Sequence, residues 1–210
     1  MEKDTQRKLP VVTVILIGIN IGIWLVLEIC GDTQDTEYML RCGAAYTPYL
    51  IERGEWQRMF SCMFLHFGAD HLINNMLMLG LMGMRLEYVM GSIPYGLLYI
   101  LSGLCGSFLS LYQEVRTGEF AVSAGASGAV FGIVGALIAW ALWHKGKVEG
   151  LSVRGLLGMA ALSLYYGFTS ADVDNWGHIG GLLGGFLLGC IVSLISKAID
   201  FIRKKPYTIQ

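Results

Sequence analysis

The chain has 210 residues, of which 54% are hydrophobic and only 15% are charged, and its mean hydropathy is +0.56. A typical soluble domain is about one-quarter charged, so this composition favours a protein that lies in a lipid bilayer. The formal net charge of −1 argues against the clustered basic surface that nucleic-acid binding requires.

Six apolar segments are predicted to cross the bilayer, because a spanning helix needs about 20 mostly apolar residues. None alternates with a period of two residues, so we expect an all-α, polytopic six-helix bundle rather than a barrel. The first segment is too long for a signal-peptide core and lacks a cleavage site, so we expect it to be retained. In chain order the segments run about from Val11 to Ile29, Met59 to Met84, Ile93 to Tyr112, Ser123 to Trp143, Leu156 to Phe168 and Trp176 to Ala198.

The basic residues predict the orientation, because Lys and Arg are enriched on the cytoplasmic side of membrane proteins. With a cytoplasmic N-terminus, eleven of the 15 Lys and Arg lie inside and four lie outside. The eleven are Lys3, Arg7, Lys8, Arg85, Lys145, Lys147, Arg154, Lys197, Arg203, Lys204 and Lys205; the four are Arg41, Arg53, Arg58 and Arg116. We therefore expect a cytoplasmic tail over residues 1–10, a membrane domain over 11–199, and a basic cytoplasmic tail over 200–210.

The outer loop, about residues 30–58, is the longest break between spans, and a mixed loop of this length is often functional. Cys30 and Cys42 both lie in it and would be able to pair in an oxidising compartment. The chain has five cysteines in all, an odd number without metal-ligand spacing, so nothing else indicates a disulfide framework or a metal site.

Three groups of polar residues lie within the predicted spans, where ionisable side chains are costly and need a reason. Ser127 begins the fourth span and His178 begins the sixth, while the second span contains His66, His71, Asn74 and Asn75. All three spans enter the membrane from outside, so all three groups are predicted at one depth near the outer surface. This convergence predicts a shared site.

Ser127 is a candidate nucleophile, because a serine hydroxyl becomes reactive beside a base. The adjacent Gly125 and Gly128 would let a substrate backbone approach, and amides at a helix start can stabilise an oxyanion. The alternative is that these small residues simply allow close helix packing. The motif is not the nucleophile elbow of a hydrolase, because Ala129 stands where that pattern needs glycine.

His178 is a candidate general base, since imidazole titrates near neutral pH. The alternative is an interfacial histidine at a helix start. Asp172 and Asp174 lie close enough in the sequence to orient it, but carboxylates just before a helix are usually caps. We therefore expect a Ser–His dyad without a third acidic member.

His71 and Asn75 are four residues apart and so share one helix face, where both can donate hydrogen bonds to an oxyanion. His66 is out of phase with them, so we expect it at or before the helix start in a structural role. The alternatives are hydrogen bonding between helices, or a metal site. Metal binding is disfavoured because no His-Glu-x-x-His pattern is present.

Glycines on the fourth and sixth spans predict that these two helices lie in close contact. Gly181 and Gly185 give the sixth span a smooth face, against which Gly128 and Gly132 of the fourth are expected to pack. Near the inner end of the second span, Glu87 is expected to cap a helix or to pair with Arg85.

Five motifs, in order along the six predicted spans, resemble those of the rhomboid intramembrane serine proteases. They are Glu55-Trp56-x-Arg58, His66-x4-His71-x3-Asn75, Gly83-x3-Glu87-x3-Gly91, Gly125-x-Ser127-Gly128-x3-Gly132 and His178-x2-Gly181-x3-Gly185. Each motif is weak alone, but together they extend from the first outer loop to the sixth span.

The resemblance implies that Ser127 is the nucleophile and His178 the general base of an intramembrane endopeptidase. It implies that His71, Asn75 and the Ser127 amide form the oxyanion hole. No cofactor or metal is implied, and none is indicated by any motif.

The resemblance also implies supporting roles. Trp56 and Arg58 would support the bundle from the outer loop. Phe131 stands where family members often carry a tyrosine stacked on the catalytic histidine, so an accessory hydrogen bond would be missing. Family substrates are membrane-anchored proteins, cut near the outer end of a span that unwinds easily, which would enter by way of spans two and five.

Two other functions compete with this one. A transporter would need polar residues that continue to the inner face, whereas spans four and six become apolar below Gly132 and His178. A family member without activity, binding membrane clients, is disfavoured by the presence of both Ser127 and His178. The small body favours a multi-pass protein of a prokaryotic plasma membrane; the substrate, the cleavage sequence and the oligomeric state are not indicated.

Overall fold

The computed structural model describes residues 9–144, 146–170 and 173–204, with the backbone alone for residues 200–204. Within these ranges the chain is predominantly helical. The helices are α1 (Val11–Cys30), α2 (Thr36–Cys42), α3 (Thr47–Glu52), α4 (Arg58–Ser61), α5 (Gly68–Met78), α6 (Met84–Met90), α7 (Ser92–Thr117), α8 (Ser127–Trp143), α9 (Val153–Phe168) and α10 (Asn175–Lys204). Five of the basic residues used to predict the orientation lie outside the described residues, as does the carboxylate Asp172. The five are Lys3, Arg7, Lys8, Lys145 and Lys205.

Shorter elements complete the description. Residues Cys62–Phe64 form a 3₁₀ turn, and a π-helical segment, Leu79–Gly83, joins α5 to α6 without a break. Strands β1 (Lys147–Val148) and β2 (Leu151–Ser152) form an antiparallel hairpin between α8 and α9.

Three described helices are long and apolar enough to cross a bilayer: α1, α7 and the Asn175–Ile199 part of α10. The 17-residue α8 is apolar but shorter. The predicted first, third, fifth and sixth segments each correspond to one helix whose ends lie within a few residues of the prediction, apart from extensions of α7 and α10 at their C-terminal ends. The predicted fourth segment corresponds to α8, which begins at Ser127 rather than at Ser123.

The predicted second segment was wrong at both ends. Residues 59–67 do not belong to the long helix but form the end of α4, the 3₁₀ turn and an extended stretch. The helix begins at Gly68, whose φ of +70° suits glycine, and continues through the π-helical segment to Met90. The apolar character of this segment predicted a spanning helix, but residues Cys62–Leu65 are instead buried against other parts of the protein.

α8 lies at the centre of the bundle, between α7 and α10, and most of its side chains are buried. A Cβ at Gly181 would overlap the Gly128 carbonyl oxygen, and one at Gly185 would overlap that of Gly132. The two helices therefore touch backbone to backbone, which confirms the close contact predicted from these glycines.

Glu87 ties α6 to the start of α1. Its buried carboxylate accepts hydrogen bonds from the Val12 and Thr13 amides at 3.0 and 2.8 Å and from the Ser92 hydroxyl at 2.6 Å. Carboxylates are favourable at helix N-termini, where backbone N–H groups are unpaired. Of the two predicted roles the structure therefore shows capping, while Arg85 donates instead to the Leu81 carbonyl.

Replacing Gly185 by alanine is expected to lower the free energy of unfolding by about 1–3 kcal/mol, because the new methyl group would force α10 away from α8. Gly158→Ala is the matched control, since a Cβ at Gly158 on α9 meets nothing within 4 Å. Thermal or denaturant unfolding in detergent micelles measures both. Equal stability of the two variants would contradict backbone contact between α8 and α10.

Candidate active site

Ser127 and His178 meet where two central helices begin. Ser127 is the first residue of α8, and His178 lies in the first turn of α10. His178 Nε2 is 2.9 Å from Ser127 Oγ, within hydrogen-bond distance. Phe131, one turn after Ser127, stacks on the His178 ring with centroids 4.4 Å apart and planes 13° apart.

The segment before α8 is held by neighbouring backbone. Ser123 pairs with Ala45 of the outer loop through two backbone hydrogen bonds of 2.9 Å, and the Gly125 amide donates to the Cys62 carbonyl at 2.9 Å. Gly125 has a φ of +141°, a backbone conformation that residues other than glycine rarely adopt. These contacts determine where α8 starts and thus where the Ser127 hydroxyl lies.

His71 faces the same space. A Cβ at Gly125 would lie 2.8 Å from both Cε1 and Nε2 of the His71 ring, and 3.6 Å from Ser127 Oγ. The absence of a side chain at Gly125 therefore leaves the imidazole room beside the serine. Gly128 is less confined, because a Cβ there would lie 3.4 Å from the Gly177 carbonyl oxygen, an ordinary contact distance.

Asn75 lies one turn further along α5 and is buried. Its Nδ2 donates one hydrogen bond to the His71 carbonyl oxygen at 2.9 Å. An asparagine amide carries two N–H groups, so a second donor remains. Asn75 therefore keeps a free donor on the same helix face as His71, whose ring lies beside Gly125 just before α8.

His66 lies in the extended stretch before α5 and is fully buried. Its Nε2 accepts a hydrogen bond of 3.3 Å from the Ala126 amide, immediately before Ser127. Its ring packs edge-on against that of His71, with centroids 5.2 Å apart. His66 thus connects the strand-like approach to α5 with the start of α8.

Asp174 caps α10. Its Oδ1 accepts from the Gly177 amide at 2.7 Å, and its carbonyl accepts from the His178 amide at 3.1 Å. Burial raises the pKa of Asp174, while hydrogen bonds from Gly177, Ser110 and Ser123 act in the opposite direction. The other ring nitrogen, His178 Nδ1, is buried without a hydrogen-bond partner in the described part of the chain.

The two outer-loop residues differ in how they are held. Arg58 donates to Glu55 Oε2 at 2.5 Å and to the Leu40 and Ala44 carbonyls at 2.6 and 2.9 Å. Trp56 is 54% exposed, and its backbone amide and carbonyl bond to the neighbouring Gly54 and Met59. Cys30 and Cys42 are both free thiols, so the conceivable disulfide is not formed.

Two residues near the site were missed in the sequence analysis. Asn175 is a buried asparagine at the start of α10, and Ser102 of α7 is buried where a Cβ at Gly132 would overlap its hydroxyl. A polar residue in an otherwise apolar helix was the available signal for both. Within the described ranges, no group of three His, Cys, Asp or Glu side chains is arranged to hold a metal ion.

The Rhomboid domain family model matches residues 53–195, about two-thirds of the chain. This chain belongs to the rhomboid family. It is 35% identical over 189 residues to "Rhomboid protease GluP" of Bacillus subtilis (strain 168), which covers 90% of this chain and 36% of the relative. It is 42% identical over 157 residues to "RHOMBOID-like protein 5" of Arabidopsis thaliana, covering 74% and 50% of the two chains.

A shorter rhomboid relative is matched along most of its length. The "Putative rhomboid protease YdcA" of Bacillus subtilis (strain 168) is 28% identical over 186 residues, covering 87% of this chain and 88% of the relative. By contrast, the chain spans only about a third to a half of GluP and the Arabidopsis relatives. Family membership and the apolar helices together make this rhomboid a multi-pass membrane protein.

His66→Ala is expected to destabilise this rhomboid by about 1–3 kcal/mol, because it leaves the buried Ala126 amide without an acceptor. The control is His144→Ala at the opposite end of α8, where the ring is only partly buried. Unfolding in detergent measures both variants. A larger loss for His144→Ala would contradict an anchoring role for His66.

Proposed function

We propose that this rhomboid is an intramembrane serine endopeptidase that uses Ser127 and His178 to cleave membrane-anchored proteins near the outer ends of their transmembrane helices. The observation that carries the proposal is the 2.9 Å approach of His178 Nε2 to Ser127 Oγ at the starts of two packed helices. Nucleophile and base within hydrogen-bond reach are the signature of serine catalysis.

The proposed reaction has two halves. Ser127 Oγ attacks the substrate carbonyl carbon while His178 Nε2 takes the hydroxyl proton, giving a tetrahedral intermediate. His178 then gives this proton to the departing amine, leaving an acyl-enzyme. A water molecule, deprotonated by His178, attacks the ester, and return of the proton to Ser127 Oγ releases the new carboxyl terminus.

His71, Asn75 and the Ser127 amide form the proposed oxyanion hole. The His71 ring faces the space above Gly125, the Asn75 amide keeps a second N–H, and Ser127 begins α8, where backbone amides lack intrahelical partners. Donors fixed before the reaction stabilise the developing negative charge without reorganisation. The Phe131 ring limits rotation of the base by stacking, although it offers no hydroxyl.

A site close to the outer surface is supported by helix length. The 17 residues of α8 span roughly 25 Å, about 5 Å less than the hydrocarbon core of a typical bilayer. At its inner end, Trp143 lies under the Lys197 ammonium at 4.9 Å, a pair suited to the membrane–water interface. Ser127 would therefore lie slightly below the outer surface, within reach of water.

The proposed architecture counts six spans: α1, the continuous helix from α5 through α6, α7, α8, α9 and α10. Both termini are proposed to be cytoplasmic, with tails over residues 1–10 and 200–210 and the membrane domain over 11–199. The excess of Lys and Arg on the proposed cytoplasmic side, eleven of 15 against four on the other side, supports this orientation. The Bacillus subtilis relatives favour a prokaryotic plasma membrane, although one Arabidopsis relative is named as mitochondrial.

Substrates are proposed to enter between α5 and α9. Few α9 residues are buried, namely Leu156, Ala160 and Gly167, so this helix is loosely held compared with α8. Exposed apolar side chains on both helices would face an arriving transmembrane segment; they are Ile73, Leu77, Leu157, Leu162, Tyr165 and Phe168. The end of that segment would unwind to reach Ser127.

Ser127→Ala and His178→Ala are each expected to reduce cleavage at least roughly a thousandfold, because nucleophile and base act as a unit. The assay uses detergent-purified protein and a fluorescent single-span substrate that contains small and helix-breaking residues. Ser196→Ala and His144→Ala, near the inner ends of α10 and α8, are the matched controls. Cleavage that survives Ser127→Ala would refute the mechanism.

A fluorophosphonate probe separates an unsuitable substrate from an inactive protein. Labelling of Ser127 without cleavage of any tested substrate would mean a live nucleophile and the wrong substrate. If Ser127 is not labelled and no substrate is cleaved, a role in binding membrane clients without proteolysis is favoured.

His71→Ala and Asn75→Ala are expected to lower kcat by about 10²–10³-fold with a small change in KM, since an oxyanion-hole donor acts mainly in the transition state. The same assay, run over a range of substrate concentrations, gives both parameters. A rise in KM at constant kcat would instead assign these residues to substrate binding.

A further inference from the structure

Asn175 and His178 each bury a polar atom at the start of α10. Asn175 is the first residue of the helix and is 8% exposed, and His178, three residues later, is 9% exposed. Neither Asn175 Oδ1 nor His178 Nδ1 has a hydrogen-bond partner within the described residues. Residues three apart are neighbours on a helix surface, so an unpaired acceptor and an unpaired ring nitrogen lie one turn from each other.

The proposed dyad requires a particular tautomer of His178. Nε2 can accept the serine proton only when it carries no proton itself, so the neutral ring must carry its hydrogen on Nδ1. Nδ1 is then a buried donor, and a buried donor without an acceptor is unfavourable. Which nitrogen is protonated is set by the hydrogen bond that the other nitrogen makes.

Asn175 is free to supply that acceptor, because another residue already caps the start of α10. Asp174 caps α10 through its own carboxylate, which accepts from the Gly177 amide. On the α9 side, a Cβ at Gly167 would overlap Asn175 Oδ1 and lie 3.1 Å from its Cγ. Gly167 therefore leaves the space in which the carboxamide lies.

We propose that Asn175 is a positioning residue that holds His178 in the Nδ1–H tautomer, with its carboxamide oxygen accepting from Nδ1–H through one bridging water molecule. The proposal deepens the proposed function and rests on it, because it takes Nε2 as the base. It also gives Gly167 a role, since the end of α9 determines the position of the carboxamide.

Nuclear magnetic resonance of ¹⁵N-histidine-labelled protein in micelles reads the tautomer directly. The chain has four histidines, so the His178 signals are identified by their loss in His178→Ala. We expect Nδ1–H in the wild type and a shift toward Nε2–H in Asn175→Leu, which keeps the size but removes the acceptor. In that variant kcat should fall about tenfold at constant KM, the equivalent of one hydrogen bond.

Two further variants separate positioning from packing. Asn175→Asp retains an acceptor oxygen and should restore the Nδ1–H tautomer. Asn20→Leu is the matched control, because Asn20 is a fully buried asparagine on α1 whose Oδ1 also lacks a partner among the described residues. It should leave the His178 tautomer unchanged.

An unchanged tautomer in Asn175→Leu, or an unprotonated Nδ1 in the wild type, would overturn the proposal. Should Asn175→Leu fail to fold, Gly167→Ala provides the same test with Asn175 present, and it should also shift the tautomer. Fluorophosphonate labelling of wild-type Ser127 keeps the two proposals distinct. If Ser127 is labelled but Asn175→Leu has no effect, the dyad stands and the positioning role of Asn175 is refuted. If Ser127 is not labelled and no substrate is cleaved, the dyad itself is refuted.

Discussion

Contact between the backbones of α8 and α10 is the constraint on which the rest of the structure depends. Side chains at Gly181 and Gly185 would overlap carbonyl oxygens of α8, so the helices reach this separation only because these positions carry hydrogen. Association of helices in a membrane gains from such close packing, because lipid supplies no hydrophobic driving force between them. The same separation brings the first turns of the two helices together, and with them the Ser127 hydroxyl and the His178 ring.

Side chains from other parts of the chain hold the starts of these two helices and the segments next to them. His66 holds the residue before Ser127, Asp174 holds the turn that contains His178, and Arg58 holds the outer loop that pairs with Ser123. Each support comes from a different part of the chain and ends on backbone. The positions of Ser127 and His178 are thus determined by helix starts and backbone contacts rather than by a direct network between the supports.

What could be predicted from the sequence was mostly what local spacing determines. The glycine periodicity of α8 and α10 predicted their contact, and helix periodicity placed His71 and Asn75 on one face. The start of α5 was missed because apolar residues 59–67 are compatible with a spanning helix, and only tertiary packing turns them into a 3₁₀ turn and an extended stretch. The partner of Glu87 was missed for a related reason, since it lies on α1 and no local pattern identifies a contact so distant in the chain.

Buried polar residues away from the site were also not recognised from the sequence. Thr13, Asn20, Tyr95 and Tyr99 are all fully buried between α1 and α7, whereas α8 is as apolar as expected. None of these four is exposed to solvent, so they do not form an open path of the kind a transporter would need. Their burial is a property of how α1 packs, which hydropathy averaged over a span does not reveal.

The contact between Glu87 and α1 has a consequence for the order of events during synthesis. Val12 precedes Glu87 by 75 residues, so at about 5–20 residues per second Val12 is synthesised roughly 4–15 s before the carboxylate that caps α1. During that interval the first amides of α1 depend on water at the membrane surface. The helix must therefore insert by its own apolarity, and its attachment to the bundle is a later step that waits for α6.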